Sequence, residues 1–592
     1  MTELNFKGKE FVYNHHLAVP FRPLEPRAKK GIGPVALDAN LIIHGDNLHA
    51  LKALLPSYAG RVDCIFIDPP YNTGGEGWSY NDNVNSPMIK EWLSDNPIGI
   101  EDGLRHDKWC AMMWPRLRLL QELLSSSGSI LVCCDDNEMH RLRCMMDEIF
   151  GAQYFLGSII WKTRNTDNRV ISKLSEDHEY VLVYSRGGAL RGRVIDRSDF
   201  SNPDNDPRGD YVTDPLTGKA TAAQRRNLHF VIKNFETGHK WKPDPARGWI
   251  TDEAGIEALR KDNRIWWPPN PETGKPRKKR FLSETKERMP LSSFWADLKG
   301  QSGADEVDQI LGERLFDFPK SVEFAQRIID VATNTDSIVL DSFAGSGTTA
   351  HAVLAQNRKD GGSRKFILVE GEDYADAVTA ERVRRVIKGY EFEGTHKEEL
   401  LRTSLSYSVI RRADDLVHEV DGIENLEAHR FDRITKEVKD KDLVVTGEKS
   451  IRGRTEGLGG YFTYCTLGAP FELDRVLRGE ALPSFESLGA ALFHMATNRA
   501  FDPAAMIEPE GYLGRSEEHH VWLIYRDNLD WLKSPEAALT LERAKGFSAA
   551  KPDARHLVFA PSRFVSQRLL AEQNIPVEFV PLPFALYRIE RA

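Results

Sequence analysis

Asp68, Pro69, Pro70 and Tyr71 stand together at the end of an apolar run, Val62-Asp63-Cys64-Ile65-Phe66-Ile67. Two successive prolines neither continue a β-ladder nor permit a helix, so the run reads as a buried strand that stops in a rigid loop. The strand delivers Asp68 to a sheet edge. Proline restricts both itself and the residue before it, which leaves the carbonyls of Asp68 and Pro69 without helical partners. One carboxylate, free carbonyls and the ring of Tyr71 then share a small space. That set suits a planar exocyclic amine: oxygens accept its two N–H bonds while the ring stacks on its face. The competing reading is a plain turn with Tyr71 filling core, and four residues alone do not decide between the two.

A second run, Ser337-Ile338-Val339-Leu340-Asp341, enters Ser342-Phe343-Ala344-Gly345-Ser346-Gly347 and then a helical stretch that Thr348 or Thr349 caps. Glycines let a ligand approach the backbone, and a helix N-terminus favours negative groups, so this is a cofactor-binding turn with Asp341, Phe343, Gly345 and Gly347 as its candidate residues. It is not the full dinucleotide fingerprint, because the third glycine position holds Ala350. No lysine follows Gly347, which excludes a nucleoside-triphosphate loop. Lys365-Phe366-Ile367-Leu368-Val369-Glu370 is another strand ending in an acid, 25 positions beyond the first glycine, a distance suited to ribose hydroxyls. A ribose without many phosphates points to S-adenosylmethionine rather than NAD.

The order Asp68-Pro69-Pro70-Tyr71 before Phe343-Ala344-Gly345-Ser346-Gly347 resembles the β-class amino-methyltransferases of DNA, a circularly permuted arrangement with the catalytic half first. The long insert and C-terminal extension resemble the modification subunit of type III restriction–modification systems. The resemblance covers roughly residues 35 to 390. It implies an α/β fold, a Rossmann-like S-adenosylmethionine-dependent methyltransferase sheet, with an inserted target-recognition domain and a C-terminal α/β domain. It also implies methyl transfer to the N6 amine of an adenine flipped from duplex DNA. The N4 amine of cytosine is the alternative within the class; Asp68 leans towards adenine by family habit, where cytosine enzymes more often carry serine. A non-catalytic DNA-reading subunit remains a third reading. By the same resemblance the turn at Asp46 and Asn47 lies near the cofactor adenosine, unless it only caps the helix that follows. Lys320 and Ser321 are placed to meet the methionine carboxylate, although a simple cap explains Ser321 equally well. Trp161 is a candidate for the wall of the base pocket, with packing as its other reading.

These residues need a sheet to position them. Leu41-Ile42-Ile43-His44 precedes a helical pattern through Leu48, Leu51, Leu54 and Leu55. A helix from about 106 to 126, a strand from Ser129 to Asp136 and a helix carrying Met139, Leu142, Met145, Met146 and Ile149 continue the alternation. Strands at Phe155–Lys162 and His178–Tyr184 follow. The alternation predicts a parallel sheet with helices on both faces. Asn72 through about Gly103 is rich in glycine and asparagine and stands as a lid beside the active strand.

At 592 residues, 41% hydrophobic and 28% charged, the chain has room for three or four domains. The expected boundaries are an N-terminal arm at 1–36, a catalytic half at 37–186, an insert at 187–305, a cofactor-binding half at 306–395 and a C-terminal domain at 396–592. The arm reads as a strap touching DNA or a second subunit, or as a solvated tail. Six cysteines without a Cys-x-x-Cys pair argue against a disulfide framework and against structural zinc. No run of about 18 apolar residues appears and the N-terminus lacks a signal core, so no membrane contact and a cytoplasmic location are expected.

The net charge of −9 argues against nucleic acid only on average, since phosphate binding depends on local patches. The insert holds one, Lys275-Pro276-Arg277-Lys278-Lys279-Arg280, near Trp241, Trp249, Trp266 and Trp267. Lys275, Arg277, Lys278, Lys279 and Arg280 are therefore candidate DNA contacts, against the alternative of a solvated charged hairpin. The C-terminal part shows strands and helices but no glycine-rich loop or clustered acids; it reads as docking surface or scaffold, with His519 and His520 at the surface. Expected partners are double-stranded DNA, a second copy in a homodimer, and a restriction helicase–nuclease or other defence subunit.

Overall fold

The strand that ends before Asp68 and the strand that ends at Asp341 are neighbours in one sheet. In a computed structural model describing residues 3–73, 103–166, 174–195, 197–298, 302–316, 318–439, 441–470 and 482–582, ten strands form the central sheet. In chain order they are β1 (Leu24–Pro26), β2 (Leu41–His44), β3 (Val62–Ile67), β4 (Leu124–Cys134), β5 (Phe155–Lys162), β6 (His178–Ser185), β7 (Phe294–Trp295), β8 (Ile338–Asp341), β9 (Lys365–Glu370) and β10 (Thr463–Leu467). Their spatial order is β1-β10-β2-β9-β8-β3-β4-β6-β5-β7. The stretch from 74 to 102, expected as a lid, lies outside the described residues.

The six strands from β10 to β4 run parallel. Their residues are almost wholly buried, as strands covered on both faces must be, which is why they read as continuous apolar runs rather than alternating ones. Six helices frame the site: α1 (Asn47–Tyr58), α2 (Arg105–Leu123), α3 (Met139–Met146), α4 (Val322–Ala332), α5 (Thr348–Asp360) and α6 (Glu381–Lys388). The core joins Leu41, Ile43, Ile65, Ile67, Ile130 and Val132 of the strands to Leu51, Leu54, Trp109, Met113 and Leu120 of α1 and α2.

Three expectations change here. The sheet is not parallel throughout: β6 runs antiparallel to both β4 and β5, so the edge beyond β4 is a hairpin-like addition. The N-terminal segment is not a free arm, since Phe6, Val12 and Val19 join the core and β1 extends the sheet. The third change concerns Thr463–Leu467, within the segment expected as a C-terminal domain, which pairs parallel with β2 and closes that side. Each depends on pairing between residues far apart in sequence, which local periodicity does not report.

Beyond the sheet, Gly389–Ser404 and Asp442–Glu456 form a long antiparallel pair, and His519–Leu523, Arg555–Ala560 and Val577–Pro581 make a small parallel sheet with an antiparallel edge at Tyr512–Arg515. His520 is buried there between the Tyr512 hydroxyl and the Asp553 carboxylate, each at 2.9 Å, rather than at the surface.

Arg191–Leu291 forms a unit of its own. Its core is small, built on Leu216, Ile232, Trp241, Trp249, Ile256 and Ile265. Trp241 and Trp249 therefore serve as filling; their indole N–H groups donate to the carbonyls of Gly274 and Phe230 at 2.9 Å each. No helix among the described residues is long and apolar enough to cross a membrane.

Candidate active site

β3 and β8 pair parallel with Cys64 opposite Val339 and Ile65 opposite Leu340. The Asp63 carboxylate fastens them, accepting the Ile338 N–H at 2.9 Å. Both strands therefore end at the same sheet edge, and the loops after Ile67 and after Asp341 open side by side.

The loop after β3 is held from behind. The Trp109 indole N–H donates to the Pro70 carbonyl at 2.7 Å. Asn72 is fully buried with φ 61°, a left-handed conformation asparagine tolerates better than most residues, and its amide donates to Glu138 Oε1 at 2.6 Å and to the Arg105 carbonyl at 3.2 Å. Trp109 and Glu138, which did not stand out in the sequence, are thus part of the frame, and so is Asn72, which was expected to begin the lid and is instead fixed in the interior. The ring of Tyr71 is only partly exposed, and its hydroxyl lies 2.8 Å from Asp68 Oδ1 and 2.8 Å from Glu179 Oε2. Burial pushes the Tyr71 hydroxyl far above the usual phenol range, and the two carboxylates add to the effect.

Lys320 completes this group. Its ammonium is 2.8 Å from Asp68 Oδ2, 3.2 Å from Glu179 Oε2 and 4.9 Å from the centre of the Tyr71 ring. Burial works against the Lys320 charge, but Asp68 and Glu179 outweigh it and hold the ammonium's pKa up. Lys320 is therefore spent on the two carboxylates and does not stand free for a cofactor carboxylate. Ser321 is buried and caps α4, its hydroxyl accepting the Phe324 N–H at 3.3 Å. Glu179 was missed by sequence reasoning; the only signal was an acid in an otherwise apolar strand, His178-Glu179-Tyr180-Val181-Leu182-Val183-Tyr184.

Trp161 sits opposite Glu179 in the β5–β6 pair but is 1% exposed and stacked on Phe324, with ring centres 3.9 Å apart and planes 16° apart. Its indole N–H donates to the Leu298 carbonyl at 3.3 Å. This corrects its assignment to the pocket wall: the ring is core.

The second loop is built for close approach. Gly345 and Gly347 have φ of 51° and 81°, and a Cβ at Gly347 would lie 3.1 Å from the Thr379 carbonyl oxygen. Asp341 accepts the Phe343 N–H at 3.0 Å and the Thr349 hydroxyl at 2.5 Å. Glu370, at the tip of β9, accepts the N–H groups of Gly345 at 2.7 Å and Glu372 at 3.0 Å. Beneath the loop the fully buried Arg382 donates to Ser346 Oγ and Thr348 Oγ1, both at 2.8 Å, and so braces it from within; this residue too went unnoticed in the sequence. Asp46 caps α1 through the His49 N–H at 3.1 Å and pairs with Arg116 at 3.3 Å, while the Asn47 amide donates to the Ser342 carbonyl at 3.1 Å. Asn47 thereby stitches the turn after β2 to the loop after β8.

The chemistry of this donor set fits a ribose-bearing, positively charged ligand. The carboxylates of Asp341 and Glu370 end adjacent strands and retain lone pairs for hydroxyl or ammonium donors, and the loop carries neither lysine nor arginine for a phosphate chain. Burial pushes the Asp341 carboxyl up to about 7 from 3.8. A carboxyl with a raised folded pKa binds its proton more tightly in the folded protein, so its contribution to stability is present below about 4 and is lost as pH rises through about 7. Asp341→Asn keeps an oxygen for Phe343 and offers an N–H to Thr349. We expect the wild type, free of ligand, to lose several degrees of melting temperature relative to this variant between about pH 5 and pH 8, readable by scanning fluorimetry.

In the separate Arg191–Leu291 unit the basic run is a strand, Arg277–Phe281, paired with Tyr211–Pro215 and Ile265–Trp266. Alternation turns Lys279 inward: it is 1% exposed and bridges Asp204 and Asp206. That corrects its assignment as a phosphate contact. Arg277 is tied to Thr213 at 2.8 Å and Arg280 to Asp214 at 2.8 Å, which leaves Lys275, exposed, and Lys278, half-buried, as the more available cations of the run.

With this geometry in view, residues 62–381 match a family model described as DNA methylase. The chain is also similar to the StyLTI Mod subunit of a type III restriction-modification enzyme from Salmonella typhimurium, 33% identical over 59% of this chain and 57% of that protein. It is 30% identical to the type II methyltransferase M.KpnI of Klebsiella pneumoniae over 58% of this chain and 82% of that one. To the type III EcoP15I Mod subunit of Escherichia coli it is 29% identical over 62% of this chain and 63% of that one. The similarity thus spans less than two thirds of the length of either Mod subunit.

Proposed function

The chain belongs to the DNA methylase family, and on that premise we propose that it transfers a methyl group from S-adenosylmethionine to the N6 amine of an adenine flipped out of duplex DNA at a specific sequence. The observation that carries this reading is the pairing of β3 with β8, which brings an Asp-Pro-Pro-Tyr tip beside a bare glycine loop. Asp341, Phe343, Gly345, Gly347 and Glu370 would hold the cofactor, with Asp46 at the adjoining strand end. When bound, it supplies an electrophilic methyl on a sulfonium.

The amine lone pair is delocalised into the base and is a poor nucleophile at rest. Hydrogen bonds from the amine to the Asp68 carboxylate and the Pro69 carbonyl favour a pyramidal nitrogen whose lone pair is free to attack, so positioning and electrostatics supply most of the rate. Asp68 need not be a strong base, because the amine becomes acidic only as it is methylated; the carboxylate then takes the proton. Flipping costs a few kcal/mol of unpairing and unstacking, and the Tyr71 ring offsets part of it by stacking on the base.

We assign target recognition to the Arg191–Leu291 unit, and partner docking, to a second copy or a helicase–nuclease subunit, to the C-terminal part, with the cytoplasm as the place of action. The Lys275→Ala/Lys278→Ala double variant is expected to weaken duplex binding and to reduce the salt slope by about one per lost phosphate contact. Lys279→Met, by leaving Asp206 with fewer partners in the interior, is expected to lower the melting temperature and leave the slope unchanged. Anisotropy titrations across a range of salt check the slopes, and thermal unfolding checks the stability of Lys279→Met. Single-molecule sequencing of DNA from cells with and without the gene tests the function itself. Methylated adenine in one sequence context supports the reading, methylated cytosine moves it to the N4 amine, and unmodified DNA refutes it.

A further inference from the structure

Lys320 shows how the space beside Asp68 receives an N–H donor. Its nitrogen is flanked by Asp68 Oδ2 at 2.8 Å and Glu179 Oε2 at 3.2 Å and lies 4.9 Å from the centre of the Tyr71 ring. An exocyclic amine gripped by Asp68 with its base against Tyr71 would need that same position. The Lys320 ammonium and the target amine therefore exclude one another.

The second carboxylate is placed with care for an acid in an apolar strand. Burying a charge is costly unless it is compensated, and among the described residues Glu179 is compensated by Lys320 and the Tyr71 hydroxyl. The hydroxyl reaches Asp68 Oδ1 and Glu179 Oε2 alike, so the two carboxylates are held face to face across one phenolic oxygen. The side chains of Asp68 and Glu179 keep 28% and 23% of their surface exposed, against 12% for Lys320 between them. Both carboxylates are reachable from outside once the ammonium moves aside.

We propose that Glu179 is the second carboxylate of the amine site: after Lys320 has withdrawn, Asp68 accepts one N–H of the target NH2, and Glu179 shares the other with the Pro69 carbonyl. The proposal rests on the reading of this site as an amino-methyltransferase of DNA and adds to it a residue outside the Asp68–Tyr71 motif. It also gives the released proton a destination. The nitrogen–methyl bond forms, the sulfur–methyl bond breaks with its electron pair kept by sulfur, and the amine proton passes to the Asp68–Glu179 pair. Two carboxylates facing each other without a cation share one proton more readily than either holds it alone. Lys320 serves as the stand-in cation that keeps the pair charged until a target arrives.

The test uses the full-length protein, a duplex carrying the methylated site found by sequencing, and a second duplex with purine, which lacks the amine, at the target position. Glu179→Gln preserves an oxygen for the Tyr71 hydroxyl but removes the charge and one acceptor, and Glu179→Asp keeps the carboxylate. We expect Glu179→Gln to lower single-turnover transfer by about 10²-fold with KM for the donor nearly unchanged, and Glu179→Asp to recover part of the loss. We also expect the wild type to bind the adenine duplex more tightly than the purine duplex, and Glu179→Gln to lose most of that preference. Wild-type rates in Glu179→Gln overturn the proposal. So does a slow Glu179→Gln that keeps the full adenine-over-purine preference, the result expected of a residue that only orients Tyr71. If the wild type labels no DNA at all, the functional reading fails first and this proposal falls with it.

Discussion

Asp68→Ala is expected to reduce methyl transfer by about three orders of magnitude or more while duplex affinity stays within a few-fold of the wild type. The carboxylate is proposed to act on the amine only as the nitrogen becomes pyramidal, an interaction stronger in the transition state than before it, so its loss falls on kcat rather than on binding. In the folded protein Asp68 also meets Lys320 and the Tyr71 hydroxyl, and both retain Glu179 as a partner in the variant. Folding should therefore survive the change. Single-turnover transfer of labelled methyl, run beside anisotropy with the same duplex, separates the two effects. A variant that loses binding and rate together would make Asp68 a structural residue.

Glu370→Ala is the second large effect. Glu370 accepts the N–H groups of both Gly345 and Glu372, so it shapes the glycine loop as well as offering lone pairs to a ribose. Hydrogen bonds to a charged acceptor are worth roughly 1.5–3 kcal/mol each, and losing one or two of them corresponds to a drop of about 10- to 10⁴-fold in cofactor affinity. Isothermal titration with S-adenosylmethionine measures it directly. An affinity unchanged in the variant would move the ribose away from the tip of β9.

Both tips were legible in the sequence because a parallel strand buried on two faces reads as an unbroken apolar run, and an acid that stops such a run marks where the sheet meets solvent. Asp68, Asp341 and Glu370 all carry that mark. The side of the site supplied by β6 was not legible. Glu179 reaches Tyr71 only because β6 reverses against β4, a pairing between residues some distance apart that no local pattern announces. The basic run in the insert failed for a related reason. Its residues alternate along a strand, so Lys279 is buried against Asp204 and Asp206 while its neighbour Arg280 is exposed, and composition alone treats the two as equal. The N-terminal apolar residues Phe6, Val12 and Val19 are too widely spaced to show a face, yet they reach the core. The strand Thr463–Leu467 joins β2 from more than 400 residues away in sequence.

The central claim is that the Asp68–Tyr71 tip and the Gly345–Gly347 loop act on one substrate. It is tested most directly by incubating the purified protein with duplex DNA and S-adenosylmethionine carrying a trideuterated methyl, then digesting the DNA and resolving its nucleosides by mass spectrometry. Trideuteromethyl is expected on the N6 of deoxyadenosine with the wild type and none with Asp68→Ala. Label that never appears in any nucleoside, or that appears equally with Asp68→Ala, would contradict it.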